Sequence, residues 1–189
     1  MRTWKEICED PTLQDLPYKI ETNRFNQIVM SPASNWHGGF QSEIARKLAD
    51  MMPGGRVITE CAVETTDGVK VPDVSWVSNA RLAPHRRAFT MPIAPEICVE
   101  VRSYSNSVVE MMGKMQLYFA RGAEEVWFCD EDGNMTFYRH DVPDAMQSKL
   151  CPDFPVKFEW GDGSSLWTAA VLLPLFGSQP CRRRMMSDG

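Results

Sequence analysis

The chain has 189 residues, 43% hydrophobic and 24% charged, with a formal net charge of -5 and an isoelectric point near 5.3. That length suits one domain with one sizeable core, and six Trp, nine Phe and twelve Met exclude a solvated, disordered coil. The acidic balance argues against a module that holds nucleic acid by phosphate contacts alone, but less against carboxylates gathered around a divalent cation.

The opening MRTWKEICED is charged and lacks an apolar central run, so no secretory leader is expected. The most apolar stretch, 169–176, is too short to span a bilayer and contains Pro174. A cytoplasmic protein without membrane partners is the resulting expectation. Six cysteines, at 8, 61, 98, 129, 151 and 181, form no C-x-x-C pair and do not suggest zinc. Cys61, Cys98 and Cys129 fall inside strand-like runs, where a thiol packs as a small hydrophobe.

In chain order, QIVM (27–30) is a short apolar run closed by Ser31-Pro32. Ser34 or Asn35 can cap a following helix, whose apolar stripe is Phe40, Ile44, Leu48 and Met51, and Pro53 with Gly54-Gly55 stops it. Residues 56–65 are rich in β-branched side chains and read as a strand. Thr66-Asp67-Gly68 turns the chain into a return strand, 69–78. The polar, Pro- and Arg-containing stretch 79–92 reads as a loop or lid.

Residues 96–103 form a further strand, with Ile97, Val99 and Val101 on one face and Cys98, Glu100 and Arg102 on the other. A helix follows, marked by Val108, Met111, Met115 and Tyr118 or Phe119 and ended by Gly122. EEVWFCD and MTFYRH, joined by EDGN, make a hairpin. VKFEW (156–160) reads as an edge strand, and Arg182–Arg184 belongs to a basic tail over 177–189. Helices packed on a mixed sheet give an α/β (α+β) domain over 1–176.

The informative residues are charges where strands should be apolar. Asp73 follows Pro72 within the return strand, and Glu100 stands between two valines. Carboxylates so placed must be hydrogen-bonded, paired or metal-bound, and two on neighbouring strands repel unless a cation lies between them. An oxygen pair of this kind suits Mg2+ or Mn2+, with carboxylates about 4–6 Å apart given metal–oxygen bonds of about 2.1 Å. Lys114 shares a helix face with Glu110 and either returns over that site or forms an ordinary surface ion pair.

The runs VPDVSWVS, PEICVEVRSYSNS, Glu110 to Tyr118 (E-x-x-x-K-x-x-x-Y) and RGAEEVWFCD resemble the Uma-type family of restriction endonuclease-like proteins. YKIE, IVMSPASNWH and GVKV upstream match it too, in order and spacing, from about Tyr18 to Tyr138. The family is similar to the PD-(D/E)xK nuclease superfamily, which implies a restriction-endonuclease-like mixed sheet flanked by helices. It also implies Mg2+- or Mn2+-dependent hydrolysis of DNA, with Asp73 and Glu100 holding the metal and Lys114 as the catalytic lysine. Arg102 stands where superfamily members commonly carry that lysine, and departs from both patterns. His37 matches a family histidine, although a lone histidine at a helix start is more often a cap or packing group. Glu43 is either an auxiliary ligand or part of a solvated face. Two rivals stay open: a nuclease fold kept as a binding module, and a metal-dependent phosphodiesterase on another substrate. A homodimer is expected by analogy, since two strands need two sites.

Overall fold

The computed structural model describes residues 2–103, 106–140, 142 and 145–159; the expected domain end at 176 and the tail 177–189 lie outside them. A five-residue helix α1 (Trp4–Cys8), closed by a Thr3–Glu6 capping box, precedes an antiparallel hairpin of β1 (Tyr18–Thr22) and β2 (Ile28–Pro32). Ser34 caps α2 (Asn35–Met51), its hydroxyl accepting from the His37 N–H and satisfying one otherwise orphaned amide.

The central sheet has five strands in the order β3 (Gly55–Thr59), β6 (Val74–Ser78), β7 (Ile97–Val101), β8 (Glu125–Cys129), β9 (Met135–Arg139). Only β7 and β8 run parallel, and α4 (Val108–Ala120) is their crossover. Between β3 and β6 the small hairpin β4 (Val63–Thr65) and β5 (Gly68–Lys70) stands apart. A short helix α3 (Asn79–Leu82) and a 3-10 turn at Ala83–His85 follow β6, so the expected loop 79–92 carries structure of its own.

Every residue of β7 is buried, because both sheet faces are covered. Ile97, Val99 and Val101 pack with Phe40, Ile44 and Leu48 of α2, whereas Cys98 packs with Met115 and Tyr118 of α4. Period two thus delivers Glu100 to the α4 side.

The expected single strand 56–65 is broken at Glu60, whose φ of +54° turns the chain out of the main sheet. Its partner is broken as well. Asp73 lies in a bend just before β6 rather than within a strand, since Pro72 removes a ladder donor there. VKFEW forms no named strand among its described residues; Lys157 makes one isolated bridge to Asn134. Val108, expected in the α4 stripe, is 58% exposed, and the stripe consists of Met111, Met115 and Tyr118. Among the described residues, no helix is long and apolar enough to cross a membrane, and Cys61, Cys98 and Cys129 are free, buried thiols.

Candidate active site

Asp73 and Glu100 come together at the end of the β6–β7 pair, about 1% exposed each, with one ammonium between them. Lys19, from β1, places its Nζ 2.7 Å from Asp73 Oδ1 and 3.4 Å from Glu100 Oε2. The other Asp73 oxygen accepts from the Val101 N–H at 2.6 Å, which ties the bend to β7. The Tyr118 hydroxyl donates to Glu100 Oε1 at 2.6 Å. Lys114, one turn earlier on α4, lies 3.6 Å from Glu100 Oε2 and donates to Glu21 Oε1 at 2.8 Å. Glu110 is occupied otherwise: it closes the capping box with Ser107 at the start of α4. The helix-surface pair Glu110–Lys114 therefore does not form, and Lys114 points inward.

Burial opposes ionisation of Asp73, yet the Lys19 charge and the adjacent His37 hold its carboxyl well below the usual range. Glu100 goes the other way. Burial raises it, Lys114 and Lys19 only partly offset that, and the Asp73 charge adds to it. Two carboxyls beside one cation thus have affinities for a proton that are pushed apart. Desolvation works against the ammonium of Lys19, but Glu100 and Asp73 overcome it, and Lys114 is raised by Glu100 in the same way.

His37 places Nε2 3.3 Å from Asp73 Oδ2, so it is both a first-turn residue of α2 and part of the cluster; its buried Nδ1 has no hydrogen-bond partner among the described residues. Glu43 is exposed on α2, and the α2 residue that reaches the cluster is Gln41, donating to the Asp73 carbonyl at 2.9 Å and to Glu60 at 3.0 Å. Arg102, just past β7, faces Glu131 at 3.9 Å and is 40% exposed. A small pocket of about 20 Å3, enough for a water molecule, is lined by Lys19, Ser31, His37, Asp73, Ser103 and Lys114.

A family model described as "Putative restriction endonuclease", Uma2, matches residues 11–158, most of the chain. The chain belongs to the Uma2 family. The match covers every element of the described residues except α1, and every residue of the cluster just described lies inside it. No curated protein matches. Among solved structures, the chain resembles a "putative nuclease belonging to DUF820" from Anabaena variabilis ATCC 29413, with a TM-score of 0.60 and 20% identity over 77% of this chain and 83% of that one. At that identity the likeness establishes the nuclease-type fold.

The donor chemistry of this Uma2 site fits a hard divalent cation. Two all-oxygen carboxylates already share one positive charge, the Lys19 ammonium, and Mg2+ or Mn2+ favours such oxygens while keeping water and phosphate as remaining ligands. Among the described residues no three His, Cys, Asp or Glu side chains converge on a metal position, so protein side chains would supply two ligands. Lys19, Glu21 and Tyr118 are the cluster members that pattern reading did not single out as site residues. Lys19 and Glu21 sit in the YKIE segment, where alternation along a two-stranded hairpin shows nothing of a partner 54 or 81 residues away.

Proposed function

We propose that this protein is an endonuclease that hydrolyses DNA phosphodiester bonds in the cytoplasm with Mg2+ or Mn2+. The observation that carries the reading is the buried Asp73–Glu100 pair with Lys19 bridging it and Lys114 beside it. A divalent cation, when bound, supplies Lewis-acid polarisation of the phosphate and makes a water easier to deprotonate.

Asp73, ionised at all ordinary pH, and Glu100 would be its side-chain ligands. The Val101 N–H fixes one oxygen of Asp73 and the Tyr118 hydroxyl one oxygen of Glu100, so the two oxygens that face Lys19 are the ones that would meet the ion. Lys114 Nζ orients the attacking water and stands against the charge that builds on the phosphate during in-line displacement. Glu21 holds that ammonium in place from the far side. With the ion between the carboxylates, Lys19 would be left to pair with a phosphate oxygen of the substrate. His37 and Gln41 brace Asp73; Arg102 and Glu43 touch none of these groups. A homodimer would bring one such site to each strand of a duplex.

Cleavage of plasmid and oligonucleotide DNA, with and without Mg2+ or Mn2+, tests the reading. Wild type should cut only with the ion, and Asp73→Ala should lose cutting and ion binding together. Equal cutting by Asp73→Ala, or none by wild type with either ion, rejects it. One observation favours the rival interaction module: Lys19 already neutralises the carboxylate pair without any added ion. That alternative expects nucleic-acid binding with no cleavage under any condition.

A further inference from the structure

Beside the carboxylate pair opens a second, much larger cleft. It spans about 1120 Å3 and is walled by α1, the β1–β2 hairpin, the start of α2 and the segment after β6. A pocket for one small molecule spans about 300–1,000 Å3, so this cleft is large enough for a short length of polymer. Three aromatic side chains line it: Trp4, Tyr18 and Phe89, of which Tyr18 is 46% and Phe89 48% exposed.

Its lining carries a small positive excess. Lys19, which also bridges the carboxylate pair, and Arg86 line the cleft with the imidazoles of His37 and His85, Glu60 is the one carboxylate among the described lining residues, and Lys5, paired with Glu9, sits 6.0 Å from the Phe89 ring centre. In a protein of net charge -5 this local reversal marks a surface for an anion. The cleft adjoins the site, because Lys19 and His37 line both it and the small pocket at Asp73.

We propose that this cleft binds a single-stranded stretch of the nucleic acid, a few unstacked nucleotides leading to the phosphate at Asp73 and Glu100. The inference rests on the nuclease reading and narrows its substrate class to DNA with unpaired bases: single strands, ends, flaps or bulges. The physical reason is the kind of surface offered. A duplex exposes base edges in its grooves and hides the ring faces inside the stack. Aromatic rings in a cleft match ring faces, and a basic lining matches the backbone that joins them. An intact duplex would use the charges and leave Trp4, Tyr18 and Phe89 without a role.

Fluorescence anisotropy of the full chain with a labelled oligo-dT strand and a duplex of equal length, in EDTA so that nothing is cut, tests this. The single strand should bind at least about tenfold more tightly. Tyr18→Ala and Phe89→Ala should each weaken it by about fivefold or more, and the duplex much less. Both side chains are half exposed, and thermal melts check that the variants are folded. Equal or tighter duplex binding, no binding of either, or unchanged affinity in both folded variants overturns the proposal; saturable capture of a protein partner by the same face, with no competition from oligo-dT, does so too. The two readings fail separately. Asp73-dependent duplex cutting without a single-strand preference removes only this inference, whereas single-strand preference without cutting removes only the nuclease.

Discussion

Replacing Lys19 by Met keeps an unbranched side chain one atom shorter and removes the ammonium that lies 2.7 Å from Asp73 and 3.4 Å from Glu100. Lys19 is 12% exposed and the two carboxylates 1%, so solvent screens this cluster little. Removing one partner of a buried ion pair costs about 3–5 kcal/mol. Glu100, already inclined to hold a proton, and the remaining His37 and Lys114 relieve part of this, which places the loss near the lower end, about 3 kcal/mol. For a domain of this size that is a fall in Tm of roughly 6–12 °C. Scanning calorimetry measures it. Calorimetric titration with Mn2+ supplies the second arm: Lys19→Met should bind the ion more tightly than wild type, because no ammonium has to leave, and should regain stability as the ion saturates. A variant that melts within a degree of wild type, or binds Mn2+ more weakly, would show that the ammonium does not occupy the place between the carboxylates.

Lys114→Ala should leave Mn2+ affinity nearly unchanged while single-turnover cleavage falls by about a hundredfold or more; cutting at the wild-type rate would make Lys114 a structural partner of Glu21. Asp73, held low in the folded chain, contributes stability that is complete above its ordinary value near 3.8 and is lost as pH falls through the lower folded value. Glu100, raised by burial, acts in the opposite sense and favours folding once it is protonated. Asp73→Asn should therefore flatten the loss of stability below about pH 4, measured by urea denaturation at a series of pH values; an unaltered slope would remove Asp73 as its source. Gly133→Ala should destabilise by several kcal/mol in the same assay, since φ is +80° and a Cβ would sit 2.1 Å from the Phe158 carbonyl oxygen. Burial holds the thiols of Cys61 and Cys129 up, to about 11 and about 12, so neither should react with Ellman's reagent until the chain unfolds.

The helices and the central strands were legible because their signals are local. Ser34 and Ser107 supply caps, Gly122 a left-handed C-terminus with φ of +91°, and the alternation in ICVEV assigns Glu100 to one face. The breaks at Glu60 and Asp73 were not legible. They arise where the β3–β6 hairpin hands over to β4–β5, a tertiary event that overrides the β-branched run 56–65. The rule that a buried strand carboxylate marks chemistry also needs a second criterion. Glu125, equally buried on β8, accepts from Trp127, Ser148 and the Lys149 and Leu150 amides. Neutral donors satisfy it, and it has a structural role; Asp73 and Glu100 are set apart by the ammonium groups of Lys19 and Lys114 that face them. Repulsion between the two carboxylates suggested a divalent metal between them; that the Lys19 ammonium bridges them was not legible.

Lys19 and the carboxylates it bridges are separated by 54 and 81 residues of chain, and Lys114 reaches back 93 residues to Glu21. No fragment that ends before α4 contains the whole cluster. A chain that has emerged only as far as β7 holds Lys19 and both carboxylates but lacks Lys114 and Tyr118, which face Glu100 from α4. The hairpin is fastened to the body largely by side chains: Thr22 and Glu21 accept from the Val69 and Val71 amides, and Lys70 caps the Thr22 carbonyl. Assembly of the cluster is thus tied to docking of the hairpin, since the strand that these contacts hold on the body is the one that carries Lys19 to the carboxylates.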